Sequence, residues 1–117
     1  MVKKPPVYTY NARLLRVIDG DTIEAELDLG FKIYKKLILR LARIDCAETR
    51  GQSKKLGFKA RDFVCEHLPQ NFVVYSRLFD SFGRAIAEIY FKEEVTGNWV
   101  LLNDLLVGKE LAVYRKF

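Results

Sequence analysis

Two short acidic stretches, separated by a run of strand-forming residues, could hold a metal ion. In VIDGDTIEAEL, Asp19 and Asp21 flank one glycine, and in LRLARIDCAETR, Asp45 is followed three residues later by Glu48. Calcium binds six to eight oxygen ligands from carboxylates, backbone carbonyls and water. Two aspartates and a carbonyl would leave positions for water and a substrate phosphate. That is the arrangement of a catalytic metal site and not of a closed structural one.

The first of these stretches also has an ordinary interpretation as a hairpin turn. Asp-Gly between apolar residues is a strong hairpin signal, because glycine tolerates the positive φ that tight turns need. An EF-hand loop is excluded: counting from Asp19, the sixth residue is Glu24 instead of glycine and the twelfth is Gly30 instead of glutamate. The choice between turn and metal site therefore depends on the other charged residues.

Two arginines, Arg40 and Arg84, could stabilise the negative charge that develops on a phosphodiester when water attacks it. A planar guanidinium can hold two phosphate oxygens at once, which a lysine cannot do. Strand alternation places Arg40 on the same face as Ile44, where it could instead form a salt bridge with Asp45 or Glu48. Arg84 follows the turn DSFG and could instead be a solvated loop cation.

The elements that would position these residues are mostly strands. β-Branched and apolar residues, separated by the turns Asp19-Gly20 and Asp28-Leu29-Gly30, predict an antiparallel meander of three strands. Two further strands flank FDSFGR. Five strands with an inserted helix predict an α+β, mainly β fold: an OB-type five-stranded barrel with two to three helices. The predicted strands span 10–18, 22–29, 33–44, 72–78 and 85–91, and the predicted helices span 54–67 and 99–107.

The first predicted helix has recognisable boundaries. Ser53 can cap its start, Pro69 ends it, and Leu56, Phe63 and Leu68 are among its apolar positions. In the second predicted helix, the apolar side consists of Leu101, Leu102, Leu105 and Leu106.

Length and composition indicate one domain, residues 1–117, with a flexible start at 1–8. The formal charge of +5 suits a polyanionic partner but does not require one. Two cysteines and one histidine disfavour a Cys/His zinc site, and free buried thiols are expected. We expect a monomer without a membrane partner. We also expect a cytoplasmic location, because no signal peptide is visible; if a leader was removed, the protein would be secreted.

Three separated motifs together resemble one known family. IDGDT at 18–22, RLARIDCAET at 40–49 and DSFGRAIAEIY at 80–90 are similar, in order and spacing, to the signatures of the staphylococcal nuclease (thermonuclease) family. The resemblance runs from about Arg13 to Tyr114. It implies an OB-type barrel and calcium-dependent hydrolysis of DNA and RNA to 3′-phosphate products with little base specificity. The nucleic acid would be single-stranded or frayed.

The resemblance implies a role for each matching residue. Asp21 and Asp45 would be the calcium carboxylates, with the carbonyl of Cys46 as backbone ligand, and Asp19 would be a nearby acid that does not bind the ion directly. Arg40 and Arg84 would grip the phosphate. Glu48 would be the general base or orient the attacking water, for which it needs only to be ionised.

This sequence also departs from the family pattern. Cys46 and Ala47 replace the usual threonine and proline, and the loop TRGQSKKLG at 49–57 is about three residues shorter than in the type member. Its Lys54 and Lys55 could follow a phosphate backbone. The thiol of Cys46 beside a metal would make the protein sensitive to soft cations or oxidants, whereas Cys65 is expected to be structural.

Two aromatic residues complete the predicted substrate contacts. Phe82 stands where the type member has a tyrosine, and Tyr114 in the closing segment ELAVYRKF is the candidate for stacking on the nucleotide.

Two alternatives to a nuclease remain. The first is a catalytically weak or inactive nucleic-acid-binding module with the same barrel. The second is a plain OB-fold binder of single strands or oligosaccharides, which leaves the carboxylates unexplained, because acids repel a phosphate backbone unless a cation intervenes.

Overall fold

The computed structural model describes residues 7–47 and 54–115. Glu48 and Ser53 therefore lie outside the described residues, as does most of the expected flexible start at 1–8. The strands are β1 Thr9–Asp19, β2 Thr22–Asp28, β3 Tyr34–Leu41, β4 Ile44–Cys46, β5 Asn71–Phe79, β6 Ala85–Lys92, β7 Trp99–Leu101 and β8 Ala112–Tyr114, and the helices are α1 Lys54–His67 and α2 Leu102–Gly108.

Five of the strands close into a barrel, which confirms the predicted OB-like α+β fold. The strand order is β3-β2-β1-β5-β6, and a parallel pairing of β3 with β6 closes the circle at Leu39↔Ala85 and Leu41↔Ala87. The predicted meander β1-β2-β3 is antiparallel throughout. Closure leaves few exposed strand edges, because each barrel strand has two neighbours. Outside the barrel, β7 pairs with β6, and β4 pairs with β8.

The core fills the barrel with the inward side of each strand. Alternate residues of β2, namely Ile23, Ala25 and Leu27, are at most 2% exposed, as the period of two along a strand requires. Leu39 and Leu41 of β3 continue this layer. From the side, α2 adds Leu102 and Leu106, both fully buried.

The helix α1 begins at Lys54 and ends at His67, as the sequence predicts. Its buried face consists of Gly57, Ala60 and Val64, which recur every three to four residues. Leu56 is not on that face and is 59% exposed, so its assignment to the apolar side was wrong. Neither described helix is long and apolar enough to cross a bilayer.

Cys65 is exposed on α1, and the expectation of a buried thiol there was wrong. The residue directly follows Val64, which faces the barrel, and successive helical residues point about 100° apart. Cys46 is half-buried.

Two predicted elements are divided in the structure. The third strand, expected over 33–44, ends at Leu41, and a turn with Arg43 in the left-handed region (φ 70°) separates it from β4. Strand alternation from Arg40 to Ile44 therefore fails, and Ile44 is a core residue. The helix expected over 99–107 begins only at Leu102, because Trp99–Leu101 forms the short strand β7 against β6.

Candidate functional site

Three candidate site residues from separate parts of the sequence meet at one end of the barrel. Asp21 lies in the turn between β1 and β2, Arg40 lies near the end of β3, and Asp45 lies in β4. The N–H of Leu41 donates to the carbonyl of Asp21 at 2.8 Å, and Thr22 is the cross-strand partner of Arg40. Barrel pairing therefore brings the two acidic motifs together around the arginine.

Arg40 is buried and held by the backbone of the turn that follows it. Its Nη1 donates to the carbonyl oxygens of Leu41 at 2.8 Å and Ile44 at 2.9 Å. Its Nη2 donates to Oδ1 of Asp45 and lies 3.4 Å from Oδ2 of Asp21. One guanidinium nitrogen therefore contacts both candidate metal carboxylates.

Asp21 is also buried, with a partner on each carboxylate oxygen. The Thr22 hydroxyl donates to Oδ1 at 3.0 Å, and the Cys46 N–H donates to Oδ2 at 2.8 Å. This second bond ties the β1–β2 turn directly to β4. Since a buried polar group is costly without such partners, these bonds and the contact with Arg40 offset the burial of the carboxylate.

Asp45 differs from Asp21 in being accessible. Its side chain is 49% exposed. Besides its bond to Arg40, its Oδ2 lies 3.6 Å from Nε of Arg115. The cluster of Asp21, Arg40 and Asp45 therefore opens to solvent at Asp45.

Asp21 and Asp45 carry the side-chain oxygens expected to bind calcium. Both supply hard carboxylate oxygens, the ligand type that calcium prefers, and both contact the same atom, Nη2 of Arg40. Among the described residues, no group of three or more His, Cys, Asp or Glu side chains could hold a metal ion. The expected ligand set needs only these two carboxylates, the Cys46 carbonyl and water.

Gly20 is required at this site by packing. A Cβ on Gly20 would lie 2.7 Å from Cβ of Ala60 and 3.0 Å from Sγ of Cys46. Its φ is not positive, in contrast to Gly30, Gly83 and Gly97, so the turn-based reason given for this glycine was wrong. The absent side chain lets α1 approach the turn that carries Asp21.

Cys46 contributes its backbone to the site, and its thiol is held neutral. Burial, followed by the charge of Asp21, raises the pKa of the Cys46 thiol to about 12; the Arg40 charge acts in the opposite direction. A thiol of such high pKa is a poor nucleophile and metal ligand near neutral pH. The hypothesis of sensitivity to soft cations stays a prediction, and this geometry disfavours it.

Asp19 and Glu48 are the two other acids expected near the metal. Asp19 ends β1 opposite Thr22, and its charge is one of those that raise the Cys46 pKa, so it lies close to the cluster. Glu48, the candidate base, lies outside the described residues.

Arg84 is partnered within its own turn. Its Nε donates to Oδ2 of Asp80 at 2.7 Å, and its guanidinium carbon lies 5.2 Å from the ring centroid of the exposed Phe82. Burial alone would raise the pKa of Asp80, but hydrogen bonds from Arg84 and Phe82 outweigh it and lower that pKa. The pairing Leu39↔Ala85 places Arg84 beside the β3–β6 seam that also carries Arg40.

The other predicted substrate residues are Lys54, Lys55 and Tyr114. Lys54 and Lys55 are exposed at the start of α1. The Tyr114 hydroxyl donates to Oδ1 of Asp104 at 3.0 Å, which raises the pKa of Tyr114. Tyr114 pairs with Ile44, whereas the cross-strand partner of Asp45 is Val113. Cross-strand partners share a face, so Tyr114 and Asp45 point to opposite faces of the β4–β8 ladder.

Sequence reasoning missed two arginines near the site. Arg115 contacts Asp45, and its N–H donates to the carbonyl of Arg43 at 2.8 Å, which extends the β4–β8 ladder. Arg43 forms a second cluster with Glu88 and Asp104. The only sequence signal for Arg115 is its position directly after Tyr114, and no local pattern indicates the partners of Arg43.

Comparison of the chain with models of known protein families finds no match, and a search of curated proteins finds no significantly similar one.

Proposed function

We propose that this protein is a calcium-dependent phosphodiesterase that hydrolyses DNA and RNA with little base specificity and leaves 3′-phosphate ends. The observation that carries the proposal is the convergence of Asp21 and Asp45 on one nitrogen of Arg40 at an end of the barrel that opens to solvent. The resemblance of the three motifs to the thermonuclease family supports the same reaction.

In the proposed reaction, Asp21 and Asp45 would hold the ion together with the Cys46 carbonyl. Bound calcium supplies charge neutralisation and a template for the phosphate. Because Nη1 of Arg40 is fixed by two carbonyls, its guanidinium is preorganised, and Nη2 donates to a phosphate oxygen once Asp45 turns away from it. Arg84 must leave Asp80 to do the same, and its partial exposure allows that movement.

The bond changes follow from hydrolysis. Water attacks phosphorus while the bond to the 5′ oxygen breaks, so the phosphate stays on the 3′ side and the leaving oxygen takes up a proton. Glu48 accepts the proton of the attacking water or aligns that water. Asp45 provides the accessible edge of the site, where a phosphate can approach.

The alternative is a nucleic-acid-binding module with weak or no activity. The self-contained bonding of Arg40 and Arg84 to Asp45 and Asp80 favours it, because both guanidinium groups already have partners. The two proposals differ in whether calcium changes the covalent state of the nucleic acid.

The experiment is release of acid-soluble nucleotides from denatured DNA, with calcium and then with excess EGTA. We compare the wild type with Glu48→Gln and with the matched control Glu66→Gln, an exposed glutamate on α1. We expect calcium-dependent release from the wild type and the control, and a loss of at least about 100-fold for Glu48→Gln. Tight DNA binding without release, with or without calcium, would contradict the enzyme proposal and favour the binding module.

A further inference from the structure

The connection between β2 and β3 exposes an unusual set of side chains. We call residues 28–36 (DLGFKIYKK) the hairpin tip, and all nine of them are exposed. Phe31 is 96% exposed, and Ile33 and Tyr34 are more than half exposed. Large apolar side chains held in water are informative when they cluster, because a folded chain normally buries them.

Backbone hydrogen bonds within the hairpin tip fix the turn that carries these exposed side chains. The N–H of Leu29 donates to the carbonyl of Ile33, and the N–H of Ile33 donates to the carbonyl of Gly30, both at 2.9 Å. Phe31 and Lys32 follow Gly30 in the left-handed region, with φ of 57° and 63°. Bulky residues seldom adopt this conformation, and such strain tends to occur at functional positions.

The charge of the hairpin tip is positive. Lys32, Lys35 and Lys36 are all exposed, and the single acid, Asp28, accepts a hydrogen bond from the N–H of Gly30 at 2.9 Å. Lysines interleaved with aromatic side chains suit a ligand with both phosphates and planar bases.

Strand β3 connects the hairpin tip to the candidate site. Alternation places Tyr34, Lys36, Ile38 and Arg40 on one face of β3, and the six-residue step from Tyr34 to Arg40 covers about 20 Å. On the neighbouring strand β2, Glu24 and Glu26 are paired with Arg16 at 3.1 Å and Arg13 at 3.4 Å. These pairs reduce the repulsion that a phosphate backbone would meet there.

We propose that the hairpin tip and the outer face of β3 form a binding track for single-stranded nucleic acid. Phe31 and Tyr34 stack on bases, and Lys32 and Lys36 contact phosphates, several nucleotides away from the phosphate at Arg40. The continuity of this face with Arg40 favours a nucleic acid over an anionic bilayer as the partner. The inference rests on the proposed function and adds to it a preference for long strands.

The test compares a tip variant, Phe31→Ser/Lys32→Ser/Lys36→Ser, with a matched control, Val95→Ser/Lys59→Ser/Lys109→Ser. The control removes one exposed apolar side chain and two exposed lysines at positions outside the track. We measure kcat and KM with calcium on single-stranded oligonucleotides of three and twelve nucleotides. For the twelve-nucleotide strand we expect the tip variant to raise KM about tenfold or more with kcat unchanged. The trinucleotide and the control variant should show no such change.

Salt dependence provides a second readout. Loss of two phosphate contacts should lower the slope of log KM against log salt by about 1.4 for the long strand. Equal KM values for the tip variant and the wild type on the long strand, with cleavage intact, would contradict the proposed binding track but not the nuclease proposal.

If the wild type does not cleave at all, the proposed function fails separately. Binding of the twelve-nucleotide strand in EGTA, measured by fluorescence anisotropy, then tests whether the hairpin tip binds nucleic acid. Weaker binding by the tip variant alone supports it, and equal binding by both variants overturns it. Binding to phosphatidylserine vesicles that depends on the hairpin tip, without an effect on the oligonucleotide, would also overturn it and assign the surface to a bilayer.

Discussion

Arg40 and Arg43 are three residues apart, and each lies between two carboxylates, yet the two clusters differ in construction. Arg43 donates to both oxygens of Glu88, at 2.6 and 2.9 Å, and to Asp104 at 3.1 Å. Those hydrogen bonds raise the pKa of Arg43 even further above its already high value. In Arg40, Nη1 donates to two backbone carbonyls, and Nη2 contacts Asp21 and Asp45.

This difference distinguishes a structural cluster that links elements of the fold, which we call the Arg43 clip, from the candidate site around Arg40. The Arg43 cluster joins the turn after β3 to β6 and α2, and Tyr114 covers it, with the Arg43 guanidinium carbon 5.9 Å from its ring centroid. The Arg40 cluster combines a buried, rigidly held cation with a carboxylate, Asp45, that is half exposed. An arginine between two acids is therefore not by itself a functional signal; anchoring by the backbone and access to solvent distinguish the two.

The largest expected contrast is in catalysis. Arg40→Lys keeps the charge but loses the planar fork, and we expect the calcium-dependent rate to fall about 100-fold to 1000-fold. Arg43→Lys should change kcat less than about threefold once corrected for the folded fraction. Nucleotide release and circular dichroism on the same samples measure both quantities. Equal losses in the two variants would contradict the distinction between clip and site.

Stability should follow the same order. Arg40→Met leaves the buried carboxylate of Asp21 without its cation, and we expect a loss of about 3 kcal/mol or more in the free energy of unfolding. The side chain of Arg43 is 42% exposed, so Arg43→Met should cost about 1 kcal/mol. Urea denaturation compares them, and a larger loss for Arg43→Met would reverse the comparison.

The pKa of Cys46 reports on the buried charge beside Arg40. Since its pKa is about 12, Cys46 should react with iodoacetamide at pH 9 at least about 100-fold more slowly than the exposed Cys65. The folded-state pKa lies above the unfolded value of about 8.5. The stabilisation from a neutral Cys46 is thus complete below about pH 8.5 and is lost as pH rises towards 12. Asp21→Asn should speed the alkylation of Cys46, because it removes a charge that raises this pKa; no change in rate would be evidence against that cause.

The smallest expected effect concerns Tyr114. Its bond to Asp104 places it with the Arg43 clip, so Tyr114→Phe should leave KM for denatured DNA within about twofold of the wild type. A matched Tyr75→Phe, at an exposed position on β5, controls for loss of a hydroxyl. A rise in KM confined to Tyr114→Phe would return this residue to the substrate contacts expected from the sequence.

The sequence by itself determined the barrel, the bounds of α1 and the residues whose convergence forms the candidate site. Strand alternation, Asx-Gly turns and the 3.6-residue period are local, so they can be read without knowing what a segment packs against. They predict the meander that contains Asp21, Arg40 and Asp45, whereas the assignment of these three residues to one site rests on the resemblance of the motifs.

The tertiary structure alone decided the break after Leu41, the strand β7, the exposure of Cys65 and the packing need for Gly20. It also decided which acid each arginine binds, since Arg43 meets Glu88 only across 45 positions of sequence. Such pairings depend on contacts between distant elements, whose energies are not contained in any local pattern of residues. For that reason the sequence analysis selected Arg40 and overlooked Arg43 and Arg115, although all three lie beside the same short strand.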